Sequence, residues 1–294
     1  MKVVYGHTDS IYCQVDSVEE AQENLGKLND HVRKFFPNLL ELDEHPVVLE
    51  FEKYFESLGV GCVKNRNAGL ITWKDGKFLD DKEFMMTGFT AKRVSETKLA
   101  KEVQIAVLNM WVENKDEAEI VEFLRDKYYT VLSGQIPITD ILKRSRFREE
   151  RFKVKCSNCK RKNDFASLTN GACCNNMTLQ TLEGKRPTIG AGIEGVVYYN
   201  SVNDVPIKDS YLFLRVRANW HDVDHRYFHP IKQEYIIPNY VAGLTESDFD
   251  CYVPDWKHYA NSIMKKADPI FRAMGWNVMQ IQRDTKQSSL EEWF

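Results

Sequence analysis

Apolar and polar residues alternate through Val3, Val4 and Tyr5, break at Gly6-His7-Thr8-Asp9, and alternate again through Ile11, Tyr12 and Cys13. A period of two on both sides of a short polar break predicts a tight β-hairpin with Asp9 at its tip. The pattern then turns helical. Asp16 or Ser17 offers a cap, Glu19 and Glu20 fall in the first turn, Leu25, Leu28, Val32 and Phe35 form an apolar stripe, and Pro37 is a stop. An amphipathic helix of roughly 18 residues is expected. Residues 46–78 read as three strands with a hairpin turn at Asp75-Gly76. In the first of them, Val47 to Tyr54, Leu49 and Phe51 alternate with Glu50 and Glu52, so both glutamates share a face.

From Ser95 the period is helical again. Two consecutive helices are expected, the first opening at Ser95, with Asn114 or Asp116 between them and Gly134 at the end of the second. "GVVYYN" (195–200) and "SYLFLRVRANW" (210–220) read as short strands. A last helix through Asp255 to Trp276 should bend or break at Pro269. Strands dominate to about residue 90 and helices follow, which gives an α+β fold with boundaries at 1–90 and 91–294.

The 294 residues are 43% hydrophobic and 28% charged, enough to bury one large core or two modest ones. No apolar run approaches the ~18 residues that span a bilayer, so no membrane partner is expected. A strand pattern starts at once, without a leader, so an intracellular location is expected. The net charge of −3 hides a local excess. Between Lys143 and Lys162 ten basic residues face only Glu149 and Glu150. That run suits a polyanion, or a solvated loop.

Four of the seven cysteines, Cys156, Cys159, Cys173 and Cys174, lie within nineteen residues. The C-x2-C spacing followed by a Cys-Cys pair suits a structural Zn²⁺ in a small insert at about 153–182, with reduced cysteines in a loop core as the alternative. A carboxylate held on a hairpin suits Mg²⁺, which takes one or two carboxylates together with substrate phosphates. A functionless Asx turn would give the same local pattern. His221, His225 and His229 read as ordinary residues.

"YGHTDS" resembles motif C, Tyr-Gly-Asp-Thr-Asp-Ser, of family B DNA polymerases, with His7 in place of the first acid and Asp9 at the second. The resemblance continues in order. "LEFEKY" resembles the acidic strand after motif C, with Glu50 and Glu52. "VKNRNAGLITWKDGK" resembles the Lys-Lys-Arg-Tyr-Ala-Gly segment that grips the primer-template, with Lys64 and Arg66 at basic positions and Asn67 at the tyrosine. "TGFTAKRVSETKLAKEVQ" resembles the passage from palm to thumb, with Arg93 and Lys98 suited to backbone phosphates. The closing helix is similar to the last thumb helix of archaeal members.

The resemblance implies a partial palm followed by a mainly helical thumb carrying a zinc-knuckle insert. Asp9, Glu50 and Glu52 would be catalytic, with Asp9 on Mg²⁺. Lys64, Arg66, Arg93, Lys98, Lys143, Arg144, Arg146 and Arg148 would hold DNA. The family also needs motif A and motif B, and neither is found here. The expected protein is the small subunit of a split polymerase, or a fragment, whose large partner carries the exonuclease, motif A and motif B. Primer-template DNA and dNTPs would be its substrates, and its location cytoplasmic and nucleoid-associated. At 286–294, Gln287, Leu290, Trp293 and Phe294 match the clamp-binding box of replication proteins, implying a sliding-clamp partner. The alternative is an inactive DNA-binding and clamp-tethering scaffold derived from a polymerase.

Overall fold

The computed structural model describes residues 1–6, 10–63, 65–147, 153–156, 160, 162–164, 179–181, 190–217, 226–229 and 234–283. The fold is α+β, with antiparallel sheets of two or three strands and helices throughout. Two compact units interleave along the chain. The first gathers Met1–Phe89, Ala106–Ile120 and Ala267–Val278. The second takes Thr90–Ile105, Val121–Lys266 and the described chain from Met279.

In the first unit, β1 (Lys2–Gly6) and β2 (Ile11–Gln14) form the expected hairpin, with Gly6 opposite Ile11 and Tyr5 opposite Tyr12. Helix α1 (Val18–Phe35) starts where its sequence says it should. Ser17 Oγ accepts from Glu20 N at 3.1 Å, and Glu20 Oε2 accepts from Asp16 N at 2.8 Å. A meander of β3 (Lys53–Val60), β4 (Asn67–Lys74) and β5 (Lys77–Thr87) follows. Asp75 and Gly76 both have positive φ, as a tight two-residue hairpin turn requires.

The strand expected at Val47 to Tyr54 begins only at Lys53. The backbone of Leu49 is satisfied by a side chain instead of a neighbouring strand. Asn29 Nδ2 donates to Leu49 O at 3.0 Å, and Leu49 N donates to Asn29 Oδ1 at 2.8 Å. A segment whose hydrogen bonds are met this way has no ladder to join. The alternation survives nevertheless: Phe51 stacks on Trp73 with centroids 4.4 Å apart, while Glu50 and Glu52 are exposed.

Helices α2 (Lys98–Val112) and α3 (Glu117–Leu132) match the second expectation, with one shift. Thr97, not Ser95, caps α2, because its Oγ1 accepts from Ala100 N at 3.1 Å. Asn114, at φ +60°, ends α2. Asp116 and Glu119 then cap α3 reciprocally at 2.9 and 3.2 Å.

The chain past residue 91 is less helical than expected. In the second unit β6 (Lys143–Arg146) joins a sheet in the order β13-β10-β6, where β10 is Ser210–Arg215 and β13 is Tyr240–Gly243. Short strands β7 (Lys153–Cys156), β8 (Lys162–Asp164) and β9 (Leu179–Thr181) form a separate sheet, and β11 (Tyr227–His229) pairs with β12 (Glu234–Ile236).

"GVVYYN" is not a strand but the body of helix α4 (Ala191–Val202). Its β-branched and aromatic residues favour strands only weakly, and burial overrides that preference. Ile193, Val196, Val197 and Tyr198 are buried, so the helix is apolar round most of its surface. Gly195 lets its backbone lie against the sheet: a Cβ there would stand 2.8 Å from the carbonyl carbon of Val241. Helix α5 (Trp256–Met274) runs through Pro269 without interruption, giving up one backbone donor.

Candidate active-site hairpin and nucleic-acid interface

The β1–β2 hairpin brings its two tyrosines together on one face, with rings 5.4 Å apart. Each meets an asparagine near the start of β4. The Tyr5 hydroxyl donates to Asn65 Oδ1 at 3.1 Å and accepts from Asn65 N at 3.1 Å. The Asn67 side chain acts on the Tyr12 hydroxyl, and the Tyr12 ring lies 6.0 Å from that of Phe55. Burial raises the Tyr12 hydroxyl pKa; the Asn67 side chain opposes this, and the charges of Tyr5 and Glu52 add to it. Asn67 is 2% exposed, and its Oδ1 has no hydrogen-bond partner among the described residues.

Asp9, between the two strands, lies outside the described residues. Of the other expected carboxylates, Glu52 adds electrostatically to the rise of the Tyr12 pKa. It also pairs with Lys53 at 3.5 Å. Glu50 is exposed on the segment that Asn29 ties to α1. Carboxylate oxygens are the donors Mg²⁺ prefers, so Asp9 and Glu52 fit such an ion chemically. Among the described residues no three His, Cys, Asp or Glu side chains converge as a metal-binding group.

The expected DNA-gripping residues divide into free and engaged. Lys64 and Arg148 lie outside the described residues. Arg66 is half-buried, and its carbonyl accepts from Gly61 N at 2.8 Å, closing the loop between β3 and β4. Arg93 is exposed, without a side-chain ion pair among the described residues. Arg144 and Arg146 are both exposed along β6, spaced by two as one strand face requires.

Lys98 and Lys143 are engaged within the chain. Lys98 Nζ lies 2.9 Å from Asp140 Oδ1 while staying 64% exposed. Lys143 Nζ lies 3.3 Å from Glu96 Oε1. Glu96 is the centre of a network that sequence reasoning missed. It also pairs with Lys266 of α5, whose Nζ donates to Thr90 Oγ1 at 2.8 Å. Thr90 in turn donates to Gln104 Oε1 at 3.0 Å. Burial pushes the Glu96 carboxyl pKa up, but the Lys266 hydrogen bond and both lysine charges outweigh it, and the net direction is down. Its partners are distant in sequence. The one local signal was Gln104, a polar residue on the apolar side of α2, now seen to be 2% exposed.

Cys156 falls on β7, with its backbone paired opposite Leu179. Cys159, Cys173, Cys174, Gln287, Leu290, Trp293 and Phe294 lie outside the described residues, as do His221 and His225. His229 is 6% exposed on β11.

The chain is similar to a DNA polymerase of Archaeoglobus fulgidus, 24% identical over 141 residues, which are 48% of this chain and 16% of that protein. It is similar to DNA polymerase 037L of Invertebrate iridescent virus 6, 28% identical over 153 residues, 47% of this chain and 12% of the viral protein. The chain thus spans a small share of the relatives it matches. The model of DNA polymerase family B matches residues 1–160, more than half of the sequence and the part that contains the hairpin, the meander and helices α1 to α3. The chain belongs to DNA polymerase family B.

Proposed function

We propose that this chain is the small subunit of a split DNA-directed DNA polymerase, supplying Asp9 to a palm completed by a second polypeptide. The observation that supports this best is the hairpin of the "YGHTDS" stretch, hydrogen-bonded through Tyr5 to the loop that carries Lys64 and Arg66. Catalytic carboxylate and phosphate-binding cations then come from one assembly. The partner would carry motif A and motif B, because a two-metal site needs carboxylates from more than one element. Exposed Val3, Val4 and Ile11 on a hairpin of only two strands are consistent with a covering partner, since two strands alone are marginal in water.

In this reading the primer 3′-hydroxyl attacks the dNTP α-phosphorus and pyrophosphate leaves. Bound Mg²⁺ supplies electrostatic stabilisation of the transferring phosphoryl group. Asp9 and Glu52 would hold that ion. Arg66, Arg93, Arg144 and Arg146 bind backbone phosphates without reading bases. Cys156, Cys159, Cys173 and Cys174 hold a structural Zn²⁺, and the tail from Gln287 to Phe294 tethers a sliding clamp. Both of these parts rest on residue spacing.

Primer extension tests the reading. The chain alone, the chain with the large subunit from the same source, and that pair carrying Asp9→Ala are compared with Mg²⁺ and dNTPs. Extension by the intact pair alone, lost by a factor of at least about 10³ in Asp9→Ala, is expected for a lost metal carboxylate. A second reading, an inactive DNA-binding and clamp-tethering scaffold, is favoured by His7 at the first motif C acid. It requires equal extension with and without Asp9.

A further inference from the structure

The hairpin owes its place in the first unit to few contacts. Val3, Val4 and Ile11 are exposed, and the two strands form a sheet of their own. They meet the β3-β4-β5 sheet and its loop through a ring contact of Tyr12 with Phe55 and through the hydrogen bonds of Tyr5. Tyr5 and Tyr12 are direct cross-strand partners. Asn65, the partner of Tyr5, lies two residues before Asn67, where β4 begins.

The Tyr5–Asn65 contact is reciprocal: hydroxyl to amide oxygen, and backbone N–H to hydroxyl. It demands a particular backbone, and Asn65 supplies it at φ +63°. Asparagine tolerates that region better than most residues. Gly88 seals the arrangement from the other side. Its φ is +76°, and a Cβ there would lie 1.9 Å from the carbonyl oxygen of Asn65. The loop between β3 and β4 is therefore held by the hairpin on one flank and by the Gly88 turn on the other.

We infer that Tyr5 and Asn65 are positioning residues, a latch that fixes the hairpin bearing Asp9 in register with the loop bearing Lys64 and Arg66. The inference rests on the polymerase reading above. Asp9 follows Tyr5 by four residues, and Lys64 and Arg66 flank Asn65. A shift of the loop against the hairpin would move the bound phosphates relative to the carboxylate. Reactions that depend on placement lose rate steeply for displacements of about 1 Å. The latch acts through other residues and touches neither substrate nor metal.

The test is a double-mutant cycle in the complex with the large subunit. Tyr5→Phe removes only the hydroxyl. Asn65→Gly removes the amide while keeping the positive φ accessible. Single-turnover nucleotide addition is measured at saturating primer-template and dNTP, beside the melting temperature of each variant. Each single variant is expected to slow addition about tenfold, the size of one or two lost hydrogen bonds. The double variant should be no slower than the worse single, because both break the same latch. Unchanged saturated rates with only a lower melting temperature would mean a structural contact and would overturn the inference. Losses that multiply would overturn it as well. Absence of extension by the wild-type pair would sink the polymerase reading and this inference together, an outcome distinct from the other two.

Discussion

The first 66 residues and the α2–α3 region are built on opposite principles. Among the described residues before Asn67, Val18 is the only hydrophobic side chain counted in the core, while Phe35 is 78% and Leu39 84% exposed. Between Leu99 and Val131, by contrast, Val103, Val107, Leu108, Ile120 and Leu124 are all at or below 2% exposure. The first region is held by directed contacts: Ser17 on α1, Asn29 on Leu49, Tyr5 on Asn65. The second buries its apolar side chains, and Glu96, just before α2, centres a paired charge network with Lys143 and Lys266. A region that leaves apolar side chains in water and depends on a few hydrogen bonds is suited to be completed by another surface. A stretch that already buries its apolar side chains calls for no such cover. The contrast predicts where substitutions do most harm.

The largest effect is expected at the Glu96 network. Glu96→Ala leaves Lys266, whose side chain is 12% exposed, without its carboxylate. Removing one member of a buried pair costs about 3–5 kcal/mol, to be read from urea unfolding. Replacing Glu96 and Lys266 together by Met should cost less than Glu96→Ala alone, since the charge left without its carboxylate is then only that of Lys143, which is 34% exposed. If the single variant proves as stable as the wild type, the network is not what stiffens this region.

A smaller loss is expected for Gly88→Ala, about 2–3 kcal/mol, from left-handed backbone strain and the clash with Asn65. Gly76→Ala is the control: its φ is +86°, but a Cβ there meets nothing within 4 Å. It should cost about 1 kcal/mol from strain alone. Equal losses at the two glycines would show that the close approach at Asn65 contributes nothing.

The same network sets a pH dependence. The Glu96 carboxyl titrates below its ordinary 4.5 in the folded chain, so the unfolded chain binds protons first as pH falls. Its contribution is fully present above pH 4.5 and is lost on acidification through the lower folded value. Unfolding midpoints of wild type and Glu96→Gln should therefore converge as pH drops below 4.5. A gap that stays constant to low pH would contradict the assignment.

Much of this fold was legible in the sequence where local chemistry decides it. The hairpin, the Ser17 cap, the Asp75-Gly76 turn and the α2–α3 pair all follow from residues within a few positions of one another. The errors came where distant partners decide. Leu49 left its strand for Asn29, twenty residues back. "GVVYYN" became helix α4 because the β10 and β13 strands offered it an apolar bed. At the candidate site the acidic and basic residues were legible as types, but their state was not. Lys98 and Lys143 look like Arg144 and Arg146 in sequence, yet the first two spend their charge on Asp140 and Glu96.

That difference yields the smallest effect on stability and a sharp one on binding. Arg144 and Arg146 are exposed, two residues apart on β6, with no ion pair among the described residues. Replacing both by Ala should change stability by less than about 0.5 kcal/mol per site. If both contact phosphates, the slope of log K against log salt for duplex DNA should fall by about 2, near 0.9 per phosphate. Lys143→Ala should do the reverse: a small change in slope, because its charge is already neutralised, and a measurable loss of stability, because Glu96 loses a partner. An unchanged slope in the double arginine variant would remove β6 from the DNA interface. A full unit lost in Lys143→Ala would mean that the Glu96 pair opens when DNA binds.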